Sequence, residues 1–220
     1  MDRKPRAFRV ISAIWRIVEQ VSREAKAEIA LLDVGPNLGA LNRSALIAAQ
    51  HVVVPLAPDM YSLQGLNNLG PTLRRWREGW SERLSRNPVG TLSLPQGEMK
   101  PVGYVVMQHG LRDNRPVKAY KRWMDRIPRT YRESILDDFS TSPTEVMQDS
   151  NCLALLKHYR SLMPLAMEAH KPMFHLRPAD GAIGAHVAAV QACFNDFKRL
   201  AHQIESVVTP RARGPRTSAI

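Results

Sequence analysis

The stretch from Glu28 to Gly65 constrains the fold more than any other part of this 220-residue sequence. It contains two short apolar runs, Ile29–Leu32 and Val52–Val54, separated by a turn and a helical patch over residues 42–50. Short apolar runs bounded by turn residues are typical of buried parallel strands, and a strand–helix–strand order predicts one βαβ unit. The sequence therefore predicts an α/β fold with a mostly parallel sheet.

An acidic residue, Asp33, follows the first apolar run directly, and the turn that comes next contains Gly35 and Pro36. In open α/β sheets, ligands bind in the crevice outside the carboxyl ends of the strands. A carboxylate at the end of a buried strand would point into that crevice. Asp33 is therefore the first candidate site residue.

Four elements of this stretch resemble the ParA-like partition ATPases, the deviant P-loop group that also contains the MinD-like proteins. They are an Asp-x-x-Pro turn (Asp33–Pro36), a helix rich in Asn, Ala and Leu, a strand ending in Val54-Pro55, and a Ser-Leu-x-Gly helix start (Ser62–Gly65). The resemblance covers roughly residues 28–205. It implies a three-layer α/β domain of the P-loop NTPase type, here over residues 1–208.

The resemblance also implies a site for ATP and magnesium. In that scheme Asp33 holds the magnesium through a water or positions the attacking water, and the turn at Gly35 and Pro36 senses the γ-phosphate. The end of a later predicted strand, at Met107 and Gln108, would approach the nucleotide base. A homodimer and a partner partition protein are further expectations that follow from the resemblance.

The phosphate-binding loop of that family has no counterpart in this sequence. No stretch matches Gly-x-x-x-x-Gly-Lys-Ser/Thr, and residues 1–27 contain no glycine with which to form a backbone nest. The sequence thus resembles a ParA-like protein that is N-terminally truncated after its P-loop, with an unpaired edge on the strand before Asp33. Phosphoryl transfer depends on electrostatic positioning, so we expect poor ATP hydrolysis or none. A non-enzymatic adaptor that binds DNA or a partner protein is the alternative.

The formal net charge of +11 and the pI near 10.2 favour polyanionic partners, nucleic acid above all. A basic surface without a specific partner is the alternative. Lysine and arginine are concentrated over residues 116–139, and ParA-like proteins hold DNA non-specifically through such scattered cations. The DNA-binding candidates are Lys118, Lys121, Arg122 and Arg126. A solvated helix face, with Asp125, Glu133 and Asp137 interspersed, explains the same pattern.

The remaining segments are assigned by periodicity and by turn residues. Residues 10–28 predict a helix that covers a sheet face with Val10, Ile14, Ile17, Val18, Val21 and Ala25. Further helices are predicted from a Ser62 cap to about Trp80, from Cys152 to His170, and from about His186 to Val207. Strands are predicted at Val102–Met107 and Lys171–Leu176. Residues 209–220 form a Pro-rich basic tail for which disorder is expected.

Several other functions find no support in the sequence. The two cysteines, Cys152 and Cys193, lie far apart in apolar surroundings, which favours reduced thiols in a cytoplasmic protein. The seven histidines do not lie at metal-ligand spacing, and a structural role is favoured for His175 and His186. No apolar run reaches the length of a membrane span, and no serine lies in a Gly-x-Ser-x-Gly setting.

Overall fold

The computed structural model describes residues 5–109, 111–112, 115–116, 118–140 and 145–209. The described chain divides into two compact units. The first contains residues up to 52 together with 64–101 and 130–140, and the second contains residues 53–63, 102–129 and those from 141 onward. The predicted single domain over residues 1–208 stays a prediction. Apart from Thr209, the predicted tail lies outside the described residues.

Three strands form the main sheet in the order β1 (His51–Leu56), β2 (Lys100–His109) and β5 (Cys152–Lys157). Strands β2 and β5 pair in parallel, with Tyr104 opposite Cys152 and Val106 opposite Leu155. Two short strands, β3 (Leu111–Arg112) and β4 (Arg115–Pro116), form a separate antiparallel pair. The predicted α/β class with parallel pairing is confirmed.

The described residues contain eight α-helices. Their bounds are α1 Pro5–Ile11, α2 Ala13–Ala25, α3 Ala40–Ala48, α4 Met60–Leu84, α5 Lys118–Met124, α6 Ile127–Tyr131, α7 Leu162–Ala169 and α8 Ala185–Val208. A π-helical turn, Arg132–Leu136, continues α6, and 3₁₀ turns lie at Val146–Gln148, Met173–His175 and Pro178–Asp180. The predicted helices over residues 42–50 and 186–207 correspond to α3 and α8.

The second unit has its core between α8 and the strands. Val105, Leu153 and Leu156 are buried there, and Phe197 and Leu200 of α8 pack against them. A neighbouring cluster of buried residues surrounds Cys193 of the same helix: Tyr159, Leu162, Leu176 and Ala182. Because the apolar residues of α8 recur at helical spacing, one long helix can cover both groups.

Helices α1 and α2 direct much of their predicted core face outward, so the predicted packing of this helical stretch on a sheet is wrong. Val10, Ile14, Ile17 and Val21, which we call the outer stripe, include three exposed side chains, and Ile17 is 61% exposed. The opposite face is formed by Phe8, Ser12, Trp15 and Glu19, which we call the inner stripe.

The inner stripe is held by specific contacts inside the first unit. Phe8 is buried against Trp80, with ring centroids 6.2 Å apart, and Ser12 is fully buried. Trp15 Nε1 donates to Ser93 Oγ at 3.2 Å, and Ser93 Oγ donates to Glu19 Oε2 at 2.9 Å. These contacts fix the rotation of the helix and thereby direct the outer stripe away from the unit.

The predicted strand at Ile29–Leu32 is also wrong. These residues belong to no helix or strand, and the side chain of Leu31 is 83% exposed. A strand is stabilised when its backbone N–H and C=O groups pair with a neighbour. The strands that the structure describes do not include a partner for this run.

Two later assignments also need correction. Residues 152–157, predicted as part of a helix, form strand β5 because they pair with β2, and the helix begins only at Leu162. Residues 171–176, predicted as a strand, contain the 3₁₀ turn Met173–His175. In both places non-local packing overrides the local pattern.

Helix α4 begins at Met60, before the predicted Ser62 cap, and Asp59 caps it instead. The Asp59 carboxylate accepts a hydrogen bond from the Ser62 backbone N–H at 2.7 Å, which is the usual N-cap arrangement. Ser62 Oγ accepts instead from the Ala57 N–H at 3.0 Å. The helix then extends past Trp80 to Leu84.

Gly70 in this helix allows close contact with the π-helical turn. A Cβ atom at this position would lie 1.8 Å from the Ser134 carbonyl oxygen, so only glycine fits without movement of the backbone. The approach brings Asn67 and Ser134 together, with Ser134 Oγ donating to Asn67 Oδ1 at 2.6 Å.

Candidate functional site

The Asp-x-x-Pro turn is held by a side chain from helix α3. Asn42 Nδ2 donates to the carbonyl oxygens of Gly35 at 2.9 Å and of Asn37 at 2.7 Å. The Asn37 side chain in turn accepts a hydrogen bond from the Gly39 N–H at 3.1 Å. The turn therefore has a defined shape, although Asp33, Gly35 and Pro36 are all exposed.

Among Asp33, Gly35 and Pro36, the carboxylate of Asp33 is the one side chain that could contact a magnesium ion. Magnesium in nucleotide sites is held by one or two carboxylates together with the phosphates, and the phosphates need a backbone nest. Asp33 follows an exposed irregular segment, so the segment does not place its carboxylate at the end of a buried strand. Within the described ranges, His, Cys, Asp and Glu form no group of three or more that could hold a metal ion.

The two candidates for base contact lie at the carboxyl end of β2. Met107 is on the border of exposure, with 36% of its surface accessible. Gln108 belongs to the same strand, and its side chain lies outside the described part of the structure. Both belong to the second unit, whereas Asp33, Gly35 and Pro36 belong to the first.

A cavity of about 550 Å³ lies in the second unit at the segment that the sequence predicted as a strand. Lys171, Phe174, His175, Leu176 and Arg177 line it. Lys171 Nζ donates to both carboxylate oxygens of Asp180, at 2.6 and 2.9 Å, and this hydrogen bond lowers the pKa of Asp180. Sequence reasoning missed this cavity because a strand assignment would have paired these residues.

Helix α5 contains Lys118, Lys121 and Arg122, and Arg126 lies in the turn directly before α6. All four DNA-binding candidates belong to the second unit. Lys121 Nζ lies 3.0 Å from Asp125 Oδ1 and 3.9 Å from Glu145, and the hydrogen bond and charge of Asp125 raise the pKa of Lys121. Its charge is therefore partly matched within the chain. Lys118 is in the same helix, and its side chain is not among those that the structure describes.

Arg122 and Arg126 are arranged differently from Lys121. Both guanidinium groups lie over the ring of Trp123, at 5.4 and 5.3 Å from its centroid, and both side chains are exposed. Stacking on an aromatic ring orients a guanidinium while its N–H donors stay available. The structure thus brings two of the four candidates together around one half-buried tryptophan.

Two arginines of the basic end of α4 contact the backbone of the first unit. Arg74 Nη1 donates to the Ser134 carbonyl oxygen at 2.8 Å, and Arg74 lies 3.8 Å from Asp137. Arg77 donates to the carbonyl oxygens of Glu98 at 2.7 Å and Met99 at 2.8 Å. The spacing of basic residues in the sequence does not distinguish these arginines from exposed ones.

Two histidines take part in hydrogen bonding or packing, and burial affects both cysteines. His186 Nε2 lies 2.8 Å from Ser161 Oγ, which joins the start of α8 to the start of α7. His175 packs edge-on against Phe174, with ring centroids 4.9 Å apart. Burial raises the pKa of Cys152 to about 12 and that of Cys193 to about 11, so both thiols stay protonated at neutral pH.

Comparison with known proteins finds relatives of the N-terminal region. A family profile described as an AAA domain matches residues 8–85. The chromosome-partitioning ATPase Soj of Thermus thermophilus is 37% identical over 67 residues, which are 30% of this chain and 27% of that protein. The ParA family protein MG470 of Mycoplasma genitalium is 34% identical over 67 residues, 30% of this chain and 24% of that protein.

This part of the chain is similar to the ParA-like partition ATPases. The chain matches only about a quarter of the length of these curated relatives. The matched residues 8–85 contain the outer stripe, the Asp-x-x-Pro turn and α3, along with β1 and all of α4.

The fold extends further than the sequence similarity. The crystal structure of protein DIP2308 from Corynebacterium diphtheriae superposes with a TM-score of 0.57 over 94% of this chain and 58% of that chain. The sequences are 18% identical, so this likeness concerns the fold alone. None of the helices that the structure describes has the length and apolar character needed to cross a membrane.

Proposed function

We propose that this 220-residue chain is a ParA-like protein of DNA partitioning, of the chromosome or plasmid type, that hydrolyses ATP poorly or not at all. The observation that carries the proposal is the ParA-like region at residues 8–85, whose Asp-x-x-Pro turn is exposed and has no phosphate-binding loop beside it in the sequence. Work on intracellular DNA would place the protein in the cytoplasm.

The absence of hydrolysis follows from the electrostatics of phosphoryl transfer. The backbone amides and the lysine of a P-loop stabilise charge that develops on the transferred phosphoryl group. A single exposed carboxylate at Asp33 adds negative charge next to the place where phosphates would bind. It cannot replace those donors.

ATP binding to the purified chain tests this part of the proposal. Titration calorimetry with ATP and magnesium should show no binding by the folded wild type, and the Asp33→Ala variant should behave identically. Circular dichroism on the same samples establishes that both are folded. Micromolar binding by the wild type that is lost in Asp33→Ala would overturn the proposal, because the turn would then hold the nucleotide without a P-loop.

DNA contact is the second part of the proposal, and Arg122 and Arg126 are its strongest candidates. Their exposed guanidinium groups are oriented by Trp123, whereas Lys121 is matched by Asp125. Contacts with phosphate are independent of sequence and release counterions, so affinity falls as salt rises.

Salt titration of DNA binding tests these assignments. Each phosphate contact that is lost should reduce the slope of log K against log salt by about 1, so Arg122→Gln with Arg126→Gln should reduce it by about 2. Lys121→Gln is the matched control on the same helix and should change the slope less. Equal slopes for the double variant and the wild type would exclude these two arginines from the DNA contact.

A non-enzymatic adaptor that uses the same surface remains the second candidate. The net charge of +11 and the Arg122–Trp123–Arg126 arrangement support it. Salt-dependent DNA binding without nucleotide is expected under both readings. Stimulation of that binding by ATP would favour a working partition ATPase over the adaptor.

A further inference from the structure

We infer that the cavity in the second unit binds a small organic monocarboxylate with an apolar body. The volume of the cavity, about 550 Å³, lies in the range of small-molecule sites. Its lining combines apolar and basic side chains: Lys171, Phe174, His175, Leu176 and Arg177. The inference does not depend on the proposed function, because all five lining residues lie outside the matched residues 8–85.

The apolar side of the cavity is fixed by the core of the second unit. Leu176 is only 5% exposed and belongs to the buried cluster around Cys193. Phe174 packs against two rings of α8, with centroid distances of 5.2 Å to Phe197 and 6.5 Å to Phe194. Because these rings hold Phe174 in place, the apolar surface needs little reordering when a ligand binds.

The basic side of the cavity is held in place by Asp180. Lys171 Nζ donates to both carboxylate oxygens of Asp180, and the Arg177 backbone N–H donates to Oδ2 of the same carboxylate at 2.9 Å. An ammonium group has three N–H donors, so one stays available after two contact Asp180. The Lys171 side chain is 42% exposed and that of Asp180 only 12%. The ammonium group is therefore more accessible to an incoming anion than the carboxylate is.

The balance of charges favours a ligand with a single negative charge. Lys171 and Arg177 carry two positive charges, and the contact with Asp180 neutralises one of them. The Arg177 side chain is exposed, and the planar fork of a guanidinium group matches the two oxygens of a carboxylate. A phosphate monoester carries nearly two negative charges at neutral pH, so the remaining positive charge would not balance it.

NMR titration of the isotope-labelled full chain with phenylacetate tests the inference. The probe should bind with a dissociation constant in the millimolar range or below, and the amide signals of residues 171–177 should shift most. Phenylacetamide has nearly the same shape without the charge. It should bind about tenfold or more weaker, because charge-assisted hydrogen bonds are lost. Phenyl phosphate should bind no tighter than phenylacetate.

Arg177→Gln is the variant that locates the site. It removes the guanidinium group and keeps the backbone N–H that contacts Asp180, so the variant should fold normally. Its affinity for phenylacetate should fall about tenfold or more. Lys198→Gln is the matched control, because Lys198 is an exposed cation on α8 of the same unit and does not line the cavity. This variant loses the same charge and should bind phenylacetate like the wild type.

Four outcomes would overturn the inference. The first is a folded wild type that does not bind phenylacetate at any concentration up to the solubility limit of the probe. The second is equal affinity for phenylacetate and phenylacetamide, which would leave the basic side chains without a role. The third is an affinity that Arg177→Gln leaves unchanged or lowers no more than Lys198→Gln does. The fourth is tighter binding of phenyl phosphate, which would assign the cavity to phosphate groups.

Discussion

Two apolar runs of similar composition, Ile29–Leu32 and Val52–Val54, are found in opposite environments in this molecule. Val52 and Val54 are each only 8% exposed and belong to strand β1, next to β2 in the sheet. Ile29 and Leu31 are exposed, and their run belongs to no strand. Both runs satisfy the same sequence criteria for a buried strand.

The difference shows that a strand depends on its neighbours as much as on its own residues. The second run lies beside a strand that supplies hydrogen-bond partners, and α8 covers part of the same sheet. The first run is missing from both sheets that the structure describes. Apolar composition makes burial favourable, but it does not supply the surface against which a residue is buried.

Substitution by aspartate should give the largest difference between the two runs. Val54→Asp places a charge in a buried strand and should lower the free energy of unfolding by at least about 3 kcal/mol. Leu31→Asp, its matched control in the exposed run, should change it by less than about 0.5 kcal/mol. Urea unfolding followed by circular dichroism measures both. A large loss of stability in Leu31→Asp would show that the first run is buried after all.

Thiol reactivity should also distinguish the exposed run from a buried strand, with a smaller effect than that of the aspartate substitutions. A cysteine introduced as Leu31→Cys should react with iodoacetamide at pH 8 like a free thiol. Cys152 in β5, whose pKa is raised to about 12, should react at least about a hundredfold more slowly, because the thiolate is the nucleophile.

Peptide mapping by mass spectrometry separates the two sites, and Cys193 provides an internal control with a pKa of about 11. As the pH rises towards these values, both native thiols should become more reactive. Modification of Cys152 as fast as of the cysteine at position 31 would contradict the pairing of β5 with β2.

The smallest effect is expected at the turn that follows the exposed run. Asn42→Ala removes the hydrogen bonds to the carbonyl oxygens of Gly35 and Asn37, both of which are exposed to water. The free energy of unfolding should fall by about 1 kcal/mol or less. Hydrogen exchange of the amides at 34–39 should become faster than in the wild type, while exchange in β1 should not change. Faster exchange in β1 would show that the turn and the sheet unfold together.

Local sequence patterns predicted several of the helices and strands. The helices α3 and α8 and the strands β1 and β2 follow from periodicity and turn residues, with shifts of a few positions at their ends. Strand β5 was missed because Leu and Ala, which favour helices, dominate the run Cys152–Lys157. Its pairing with β2, about fifty residues earlier in the chain, decides its conformation.

The candidate site was predictable only where a motif defines it. The order of four elements in residues 28–65 identified the ParA-like region, including Asp33, Gly35 and Pro36. The orientation of Arg122 and Arg126 on Trp123 and the cavity at Lys171–Arg177 depend on how local segments fold in three dimensions. The rotation of α2 depends on Trp80 and Ser93, which lie more than sixty residues away in the chain.

The contacts of Arg77 have a consequence for how this protein can vary. A lysine at position 77 would keep the positive charge, but its single ammonium group could not reproduce the planar fork that reaches the carbonyl oxygens of Glu98 and Met99 together. Arg75 and Arg86 on the same basic segment have exposed side chains and could exchange with lysine freely. Identity at position 77 is thus fixed by shape, whereas at positions 75 and 86 only charge needs to be kept.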